Sequence, residues 1–439
     1  MSLKKKLEDN LPFYNSLVLP LHFFRAVGAG VKYKFPGRGM KVIGVTGTNG
    51  KTTTSFYIWK MLNEAGRKTG LMTTVAWGGV PEGDDLEKEV LRDTSGASAH
   101  ELNYQVEHMT TVDSRTLNER MAKIRAAGVE YLVLEVTSHA MEQFRTLGVP
   151  IEVAVFTNLT HEHLDYHKTM ERYCRAKCKL FKKAKVGVVN ADDKRAKEFI
   201  RASEEYITYG IKNGKVRAKE IKLDVFGSEY ITGEMKIKTR IPGEFNVYNS
   251  LAAVVVGERL GLESEEIQRG IFALEGVEGR MNRIDEGQGF TVIVDYAHTP
   301  DALEKVFKAI PEVKGRVISV HGGAGRRDES TREERGRILG KNSDFVIITE
   351  DDSRDEDPEV IAEQFVRGAK RAGKKIGKDM IVDLNREEAI RGALKLAKRG
   401  DLVLILGKGH EKTILRKDGA EPFEDAKVVK KILRGMKKK

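Results

Sequence analysis

The segment Gly44-Val45-Thr46-Gly47-Thr48-Asn49-Gly50-Lys51-Thr52-Thr53 constrains this 439-residue chain more than any other. An apolar run, Val42-Ile43-Gly44-Val45, enters it and a helical stretch, Thr52–Ala65, leaves it. Glycines let backbone N–H groups curl around phosphate oxygens, and the N-terminus of the following helix adds partial positive charge. Lys51 is placed to reach terminal phosphates and the Thr52 hydroxyl to ligate Mg²⁺. The strict phosphate-loop pattern has Gly at position 45, where this chain has Val, and the glycines fall at 44, 47 and 50 instead. A strand, loop and helix of this kind predict an α/β unit that binds a nucleoside triphosphate at its strand ends.

The rest of the chain continues that pattern. Tyr131–Val136, Val153–Phe156 and Val186–Val189 read as buried strands separated by helices. Continuous apolar runs of this type predict a mostly parallel sheet covered on both faces. A second series, Val292–Val294, Arg316–Val320, Phe345–Ile348 and Leu402–Leu406, predicts a second, Rossmann-like α/β unit, with the join near Gly276–Arg283. The chain is too long for one ordinary core. The expected division is a short helical cap over 1–40, one or two helices with an extended lead-in. A central ATP-binding domain over 41–280 and a C-terminal domain over 281–439 follow it.

Lys and Arg number 76 against 65 Asp and Glu, a formal charge of +11. Such a surplus suits nucleotides and phosphorylated sugars, and equally nucleic acid or an anionic membrane. Much of it lies in the runs Lys4-Lys5-Lys6 and Lys437-Lys438-Lys439, which read as solvated. The two cysteines, Cys174 and Cys178, have no companion Cys or His pair at zinc spacing and read as reduced thiols. The start of the chain lacks the form of a secretory signal, and Leu17–Phe24 is too short to span a bilayer. A cytoplasmic, monomeric enzyme on small-molecule substrates is expected, with no nucleic-acid partner.

The loop Thr46–Thr52 resembles the ATP-binding loop of the Mur ligase family. Further segments extend the resemblance in order over 41–426. Glu135-Val136-Thr137-Ser138-His139-Ala140 with Gln143 and Arg145 comes first, then Asn158-Leu159 leading to His163-Leu164-Asp165-Tyr166-His167. Tyr173-x-x-Ala176-Lys177, Asn190-Ala191-Asp192-Asp193, Gly243–Asn249 and Gly279-Arg280-Met281 follow. The last are Asp295–Pro300 and Gly407-Lys408-Gly409-His410-Glu411. The match is similar above all to the MurE branch, which adds the third amino acid of the peptidoglycan stem.

The resemblance implies an enzyme that uses ATP and Mg²⁺ to convert a carboxylate into an acyl phosphate, which an amine then attacks. It assigns catalysis to Lys51, Glu135, His163 and Lys177. Mg²⁺ falls to Thr52, Glu135, His163 and a carbamylated Lys177. ATP falls to Gly47, Thr48, Asn49, Gly50, Lys51, Thr52 and Thr53, with Asn246 and Asn249 on adenine. Arg280 and Asp295 join on phosphate and ribose, brought in by domain closure. Thr110, Thr111, Thr137, Ser138, Gln143 and Arg145 match positions that hold the sugar-peptide acceptor. Asp351, Asp352, Arg354, Gly407 and Glu411 match those that take the incoming amino acid.

By itself Lys177 lies in a basic helix, Arg172–Lys185, and reads as a solvated lysine. Three departures from the family's pattern are visible. Glu162 stands where the family has Asp. Asp351-Asp352-Ser353-Arg354 replaces the Asp-Asn-Pro-Arg of diaminopimelate enzymes, so the sequence leaves diaminopimelate and lysine both open. Only 40 residues precede the first strand, where the branch carries a uridine-binding domain of about a hundred residues. A shortened cap that still reads UDP is one expectation. The other is an acceptor with a different anchor, lipid-linked or pseudomurein-type, with Lys4–Lys6 meeting an anionic membrane. A folylpolyglutamate-type glutamate ligase is disfavoured by the Thr-Ser-His-Ala and Gly-Lys-Gly-His-Glu segments. A non-catalytic ATP-binding scaffold is disfavoured by the intact Lys51, Glu135, His163 and Lys177.

Overall fold

A computed structural model describes residues 14–80, 102–104, 110–224, 226–310, 313–327 and 329–437. The Lys4–Lys6 run lies outside them. The chain forms two compact units. The first comprises Met1–Ile221, Glu229–Lys238 and Asn246–Leu274, and the second Lys222–Ser228, Thr239–Phe245 and Glu275–Lys439.

Among the described residues, the first unit opens with helix α1 (Tyr14–Lys32), with Pro20 inside it. A turn follows and leads to strand β1 (Lys41–Thr46), helix α2 (Lys51–Glu64) and strands β2 (Thr69–Met72), β3 (Ala76–Gly78) and β4 (Leu102–Tyr104). Next come α3 (Ser114–Ala126), β5 (Tyr131–Glu135), α4 (Ser138–Glu142), β6 (Ile151–Phe156), α5 (Leu164–His167) and α6 (Met170–Phe181). The remaining elements of its large sheet are β7 (Ala184–Asn190), α7 (Ala196–Ala202), β8 (Glu205–Gly210) and β9 (Val216–Arg217). These nine strands form one sheet in the order β4-β3-β2-β5-β1-β6-β7-β8-β9. The pairings from β2 to β9 are parallel, and β3 and β4 run antiparallel at one edge.

Strands β1, β5 and β6 are buried along almost their whole length, which their apolar runs require for a sheet covered on both faces. Phe156 stacks on Phe199 at 3.7 Å between ring centroids in the core. Short polar side chains set the helix starts. Asp113 accepts from Arg115 N and Thr116 N at α3, Thr137 from Ala140 N at α4, and Thr169 from Arg172 N at α6. The chain leaves β1 toward one side of the sheet and β6 toward the other. Their adjacent C-terminal ends are therefore a switch point, where open α/β sheets place ligands.

Strands β10 (Lys219–Asp224), β11 (Gly227–Thr232) and β12 (Met235–Thr239) form a small sheet. Helices α8 (Glu244–Arg259) and α9 (Ser264–Phe272) follow. The sequence reading does not anticipate the three strands. The Lys-Glu-Ile-Lys-Leu-Asp sequence of β10 is mostly exposed and lacks an apolar run.

The second unit contains β13 (Asn282–Ile284), β14 (Thr291–Asp295), α10 (Pro300–Ala309), β15 (Val317–Gly323), α11 (Arg332–Asn342), β16 (Phe345–Glu350) and α12 (Pro358–Arg371). It ends with β17 (Met380–Val382), α13 (Arg386–Leu396), β18 (Leu402–Leu406), a β19 (Thr413–Arg416) and β20 (Gly419–Pro422) hairpin, and α14 (Asp425–Lys437). Its sheet runs β13-β14-β18-β15-β16-β17, parallel except at β13. The mixed, mostly parallel α/β class expected from the sequence is the class observed.

A fully buried ion pair ties this unit together. Arg386 Nε donates to Asp425 Oδ1 at 2.8 Å and Nη2 to Oδ2 at 2.7 Å. Arg386 also donates to the carbonyls of Glu350 and Leu406, at the ends of β16 and β18. Removing one partner strands a buried charge, so Arg386→Ala is expected to destabilise this unit by about 3–5 kcal/mol. Denaturant midpoints of the two proteins check this.

Candidate active site

The loop after β1 is shaped by its glycines. Gly47 has φ 152° and Gly50 has φ 83°, a conformation that favours glycine. A Cβ at Gly47 would collide with the Thr157 hydroxyl, and one at Gly50 with the Asn249 amide. The loop is fastened to the end of β6. Thr48 N donates to Asn158 O at 2.8 Å, Asn49 N to Asn158 Oδ1 at 3.0 Å, and Thr160 N to Thr48 Oγ1 at 3.0 Å. Thr157 Oγ1 donates to Asn49 O at 2.6 Å. Thr48 Oγ1 also lies 3.3 Å from the Tyr173 hydroxyl.

Four chemically active side chains gather here. Lys51 Nζ donates to Thr48 O at 2.8 Å and stands 3.9 Å from Glu135 Oε1. Glu135, at the end of β5, is buried and its Oε2 accepts from Thr52 Oγ1 and from Thr74 N, each at 3.0 Å. A buried carboxylate joined to a threonine hydroxyl is a hard-oxygen donor set of the kind Mg²⁺ takes. Thr53 is buried one position further along α2.

The charge of its helix alone suggests a solvated Lys177, whereas its spacing in the family motif assigns it to the site; the side chain is buried. It is 2% exposed, and its Nζ donates to Gly47 O at 2.7 Å. Although α6 is basic, Tyr173, Cys174, Ala176, Lys177, Leu180 and Phe181 form its buried face. Burial, and next the cation of Lys51, push the Lys177 ammonium well below its usual range, against the opposing pull of Glu162 and Glu135.

His163 occupies a left-handed turn, φ 57°, with its Nε2 3.6 Å from Glu162 Oε2. It belongs to a ring cluster that the sequence reading does not identify. His139 lies 4.9 Å from His163 and 5.4 Å from His167 between centroids, and Tyr173 lies 5.9 Å from His163. Burial and then the neighbouring His163 and His167 push His139 down to about 3, so it stays neutral. His167 Nε2 shares a 2.8 Å hydrogen bond with Ser138 Oγ.

The residues matched to the acceptor fall together. Arg145 donates to Gln143 Oε1 through Nε at 3.1 Å and Nη2 at 2.6 Å, and to the carbonyl of Thr111. Thr111 Oγ1 donates to Glu135 O at 3.0 Å and accepts from Thr137 N at 3.1 Å. Thr110 beside it is half-buried. Asn246 and Asn249, expected near adenine, are buried and bonded to each other, with Asn249 Nδ2 donating to Asn246 Oδ1 at 2.9 Å. Asn249 Oδ1 also accepts from Thr54 Oγ1 at 3.2 Å, which links α8 to the loop helix.

In the second unit, Asp295 is buried at the end of β14 and accepts from Met281 N at 2.6 Å and Ala297 N at 2.8 Å. Burial raises its carboxyl despite Arg280 nearby. The Arg280 guanidinium lies 4.7 Å from the Tyr296 ring centre. At the ends of β16 and β18, Asp351, Asp352 and Glu411 surround the Lys408 ammonium at 3.0, 2.8 and 2.9 Å. Lys408 has no role in the sequence reading. Burial alone would raise Asp351, yet Lys408 and Arg386 outweigh it and hold that carboxyl below the usual range. Gly407 has φ 110° and backs onto Asp351 and His321. Arg354 has φ 57°, its N–H donates to Leu415 O at 2.8 Å, and its buried Nε has no acceptor among the described residues.

The Mur ligase middle domain model matches residues 45–257, and the Mur ligase, glutamate ligase domain model matches 279–409. The chain is 39% identical over 415 residues to the UDP-N-acetylmuramoyl-L-alanyl-D-glutamate–2,6-diaminopimelate ligase of Syntrophomonas wolfei, covering 92% of this chain and 80% of that one. It is 38% identical over 437 residues to the UDP-N-acetylmuramyl-tripeptide synthetase of Roseiflexus, covering 92% and 81%. A solved structure of a diaminopimelate ligase of the same description superposes with a TM-score of 0.63 at 29% identity, covering 93% of this chain and 82% of the other. Folylpolyglutamate synthase from Mycobacterium tuberculosis shares the fold, with a TM-score of 0.68 at 18% identity over 88% of this chain and 92% of its own. The chain therefore belongs to the Mur ligase family, whose members are ATP-dependent ligases that form amide bonds.

Proposed function

We propose that the chain adds a diamino acid, meso-diaminopimelate, to the D-glutamyl carboxylate of a UDP-muramoyl dipeptide in building peptidoglycan. The observation that carries this reading is the grouping of Lys51, Thr52, Glu135 and Lys177 around one loop at the strand ends. ATP would lie on the loop, where the Gly47 to Thr53 backbone and Lys51 suit its phosphates. Thr52 and Glu135, with His163 and a carbamylated Lys177, would hold Mg²⁺. When bound, that ion neutralises charge on the transferring phosphoryl group. Thr110, Thr111, Thr137, Ser138, Gln143 and Arg145 are assigned to the acceptor, Arg145 supplying the charge for a carboxylate. Arg280 and Asp295 are assigned to the nucleotide. The reading also divides the chain into a cap over 1–40, an ATP-binding domain over 41–280 and a ligase domain over 281–439, working as a cytoplasmic monomer.

Asp351, Asp352, Arg354, Gly407 and Glu411 are assigned to the amino acid. Three carboxylates against one ammonium leave a negative site that suits the amines of a diamino acid. Diaminopimelate rather than lysine is favoured by Arg354, whose unpartnered Nε suits a second carboxylate. The Syntrophomonas wolfei relative and the diaminopimelate ligase structure act on 2,6-diaminopimelate by name, which agrees. A screen of acceptors, with and without UDP, against amino acids, with products read by mass, tests the assignment. Diaminopimelate joined to the UDP-muramoyl dipeptide is expected, and product with lysine alone would refute it. Arg354→Ala is expected to lower kcat/KM for diaminopimelate about 10²-fold, with a far smaller change for lysine.

A further inference from the structure

Helix α1 leaves part of its apolar surface outside the core. The residues it turns inward are small: Ala26, Ala29 and Gly30 are buried, and Tyr33 just beyond donates to Glu119 Oε2 at 3.2 Å. Three large apolar residues face outward, with Leu21 49%, Phe24 70% and Val31 63% exposed, while Phe23 packs edge-on against Phe144 and Val18, Leu19 and Val27 are half-buried. Together with exposed Gly28, positions 21, 24, 28 and 31 make one helical stripe. Scattered exposed apolar residues need no explanation, but an aligned stripe on a helix that buries alanine and glycine does.

Charge identifies what covers it. Exposed Arg25 and Lys32 border the stripe, and exposed Lys34 and Arg38 follow it. The sequence has no Asp or Glu between Asp9 and Glu64. A second copy of this chain, docked through the same stripe, would bring these cations onto their own kind. An anionic lipid surface complements both the apolar stripe and its border. The helix is not long and apolar enough to cross a bilayer.

We infer that α1 is a membrane-surface anchor that lies in the plane of an anionic bilayer. Leu21, Phe24 and Val31 enter the headgroup–acyl boundary, and Arg25 and Lys32 meet lipid phosphates. The anchor stands apart from the ligase chemistry, since none of these residues belongs to the candidate site.

Sedimentation of the full chain with phosphatidylcholine vesicles, with and without phosphatidylglycerol, tests it. Binding is expected only with phosphatidylglycerol and is expected to weaken as salt rises. Leu21→Ser/Phe24→Ser/Val31→Ser, and separately Arg25→Glu/Lys32→Glu, should each lower vesicle affinity at least about tenfold while keeping ATP-dependent ligation of soluble acceptor. Absence of binding at low salt would overturn the anchor. So would wild-type binding by both variants, which would move the contact to the terminal basic runs. A wild-type dimer that ignores vesicles and becomes monomeric in the triple serine variant would overturn it in favour of a second copy.

Discussion

Lys51→Ala is expected to lower ATP-dependent amide formation roughly 10³-fold, about 4 kcal/mol of transition-state stabilisation, with little effect on folding. Lys51 is the loop's own cation, resting on Thr48 O and 3.9 Å from Glu135. The neighbouring cation, Lys177, is buried and turned to Gly47 O, and its ammonium is disfavoured. Lys51→Arg keeps the charge but replaces a compact ammonium by a planar fork, and should recover little. Single-turnover kinetics with unchanged circular dichroism check this, and wild-type turnover in Lys51→Ala would contradict the loop assignment.

Lys177→Ala is expected to cost about 10²-fold or more in rate, partly restored by formate or acetate, which carry the carboxylate that the modified lysine would supply. The modification joins the neutral amine to CO₂, giving a carbamate and releasing one proton. Burial and Lys51 favour that neutral amine by depressing the ammonium. The reactive fraction grows as pH rises through the depressed value, so carbamylation should appear well below the usual 10.5 of lysine. For the unmodified chain the unfolded state holds this proton more tightly, so stability at this site is lost as pH falls below that unfolded value. ¹³C NMR with labelled bicarbonate reads the carbamate directly. An unmodified lysine across that window, with unchanged rate in Lys177→Ala, would contradict this role.

The parts of the site that depend on local order are legible in the sequence. The loop from Gly44 to Thr53 declares itself by glycines, a lysine and a threonine between a strand and a helix. The apolar runs of β1, β5 and β6 announce a covered parallel sheet. Lys177 shows where composition misleads, because the charges of α6 suggest a solvated helix. Its spacing from Tyr173 and Leu180 places it on the apolar face, so periodicity outweighs composition here. Other features come from contacts that no local pattern carries. Asn249 meets Thr54 across 195 positions, and Lys408 meets Asp351 across 57. The ring cluster of His139, His163 and His167 likewise forms only when β5 and β6 flank β1 and bring the segments after their ends together. The strands β10 to β12 and the β19–β20 hairpin lack long apolar runs, and β12 carries only a short alternation, Met235-Lys236-Ile237-Lys238-Thr239.

Activation of a carboxylate by phosphoryl transfer from ATP leaves an isotopic trace. An acceptor labelled with ¹⁸O in its reacting carboxylate is incubated with ATP and diaminopimelate, and the released phosphate is weighed by mass spectrometry. An acyl phosphate keeps one carboxylate oxygen on the departing phosphate, so one ¹⁸O per phosphate formed is predicted. Amide product accompanied by unlabelled phosphate would contradict the account.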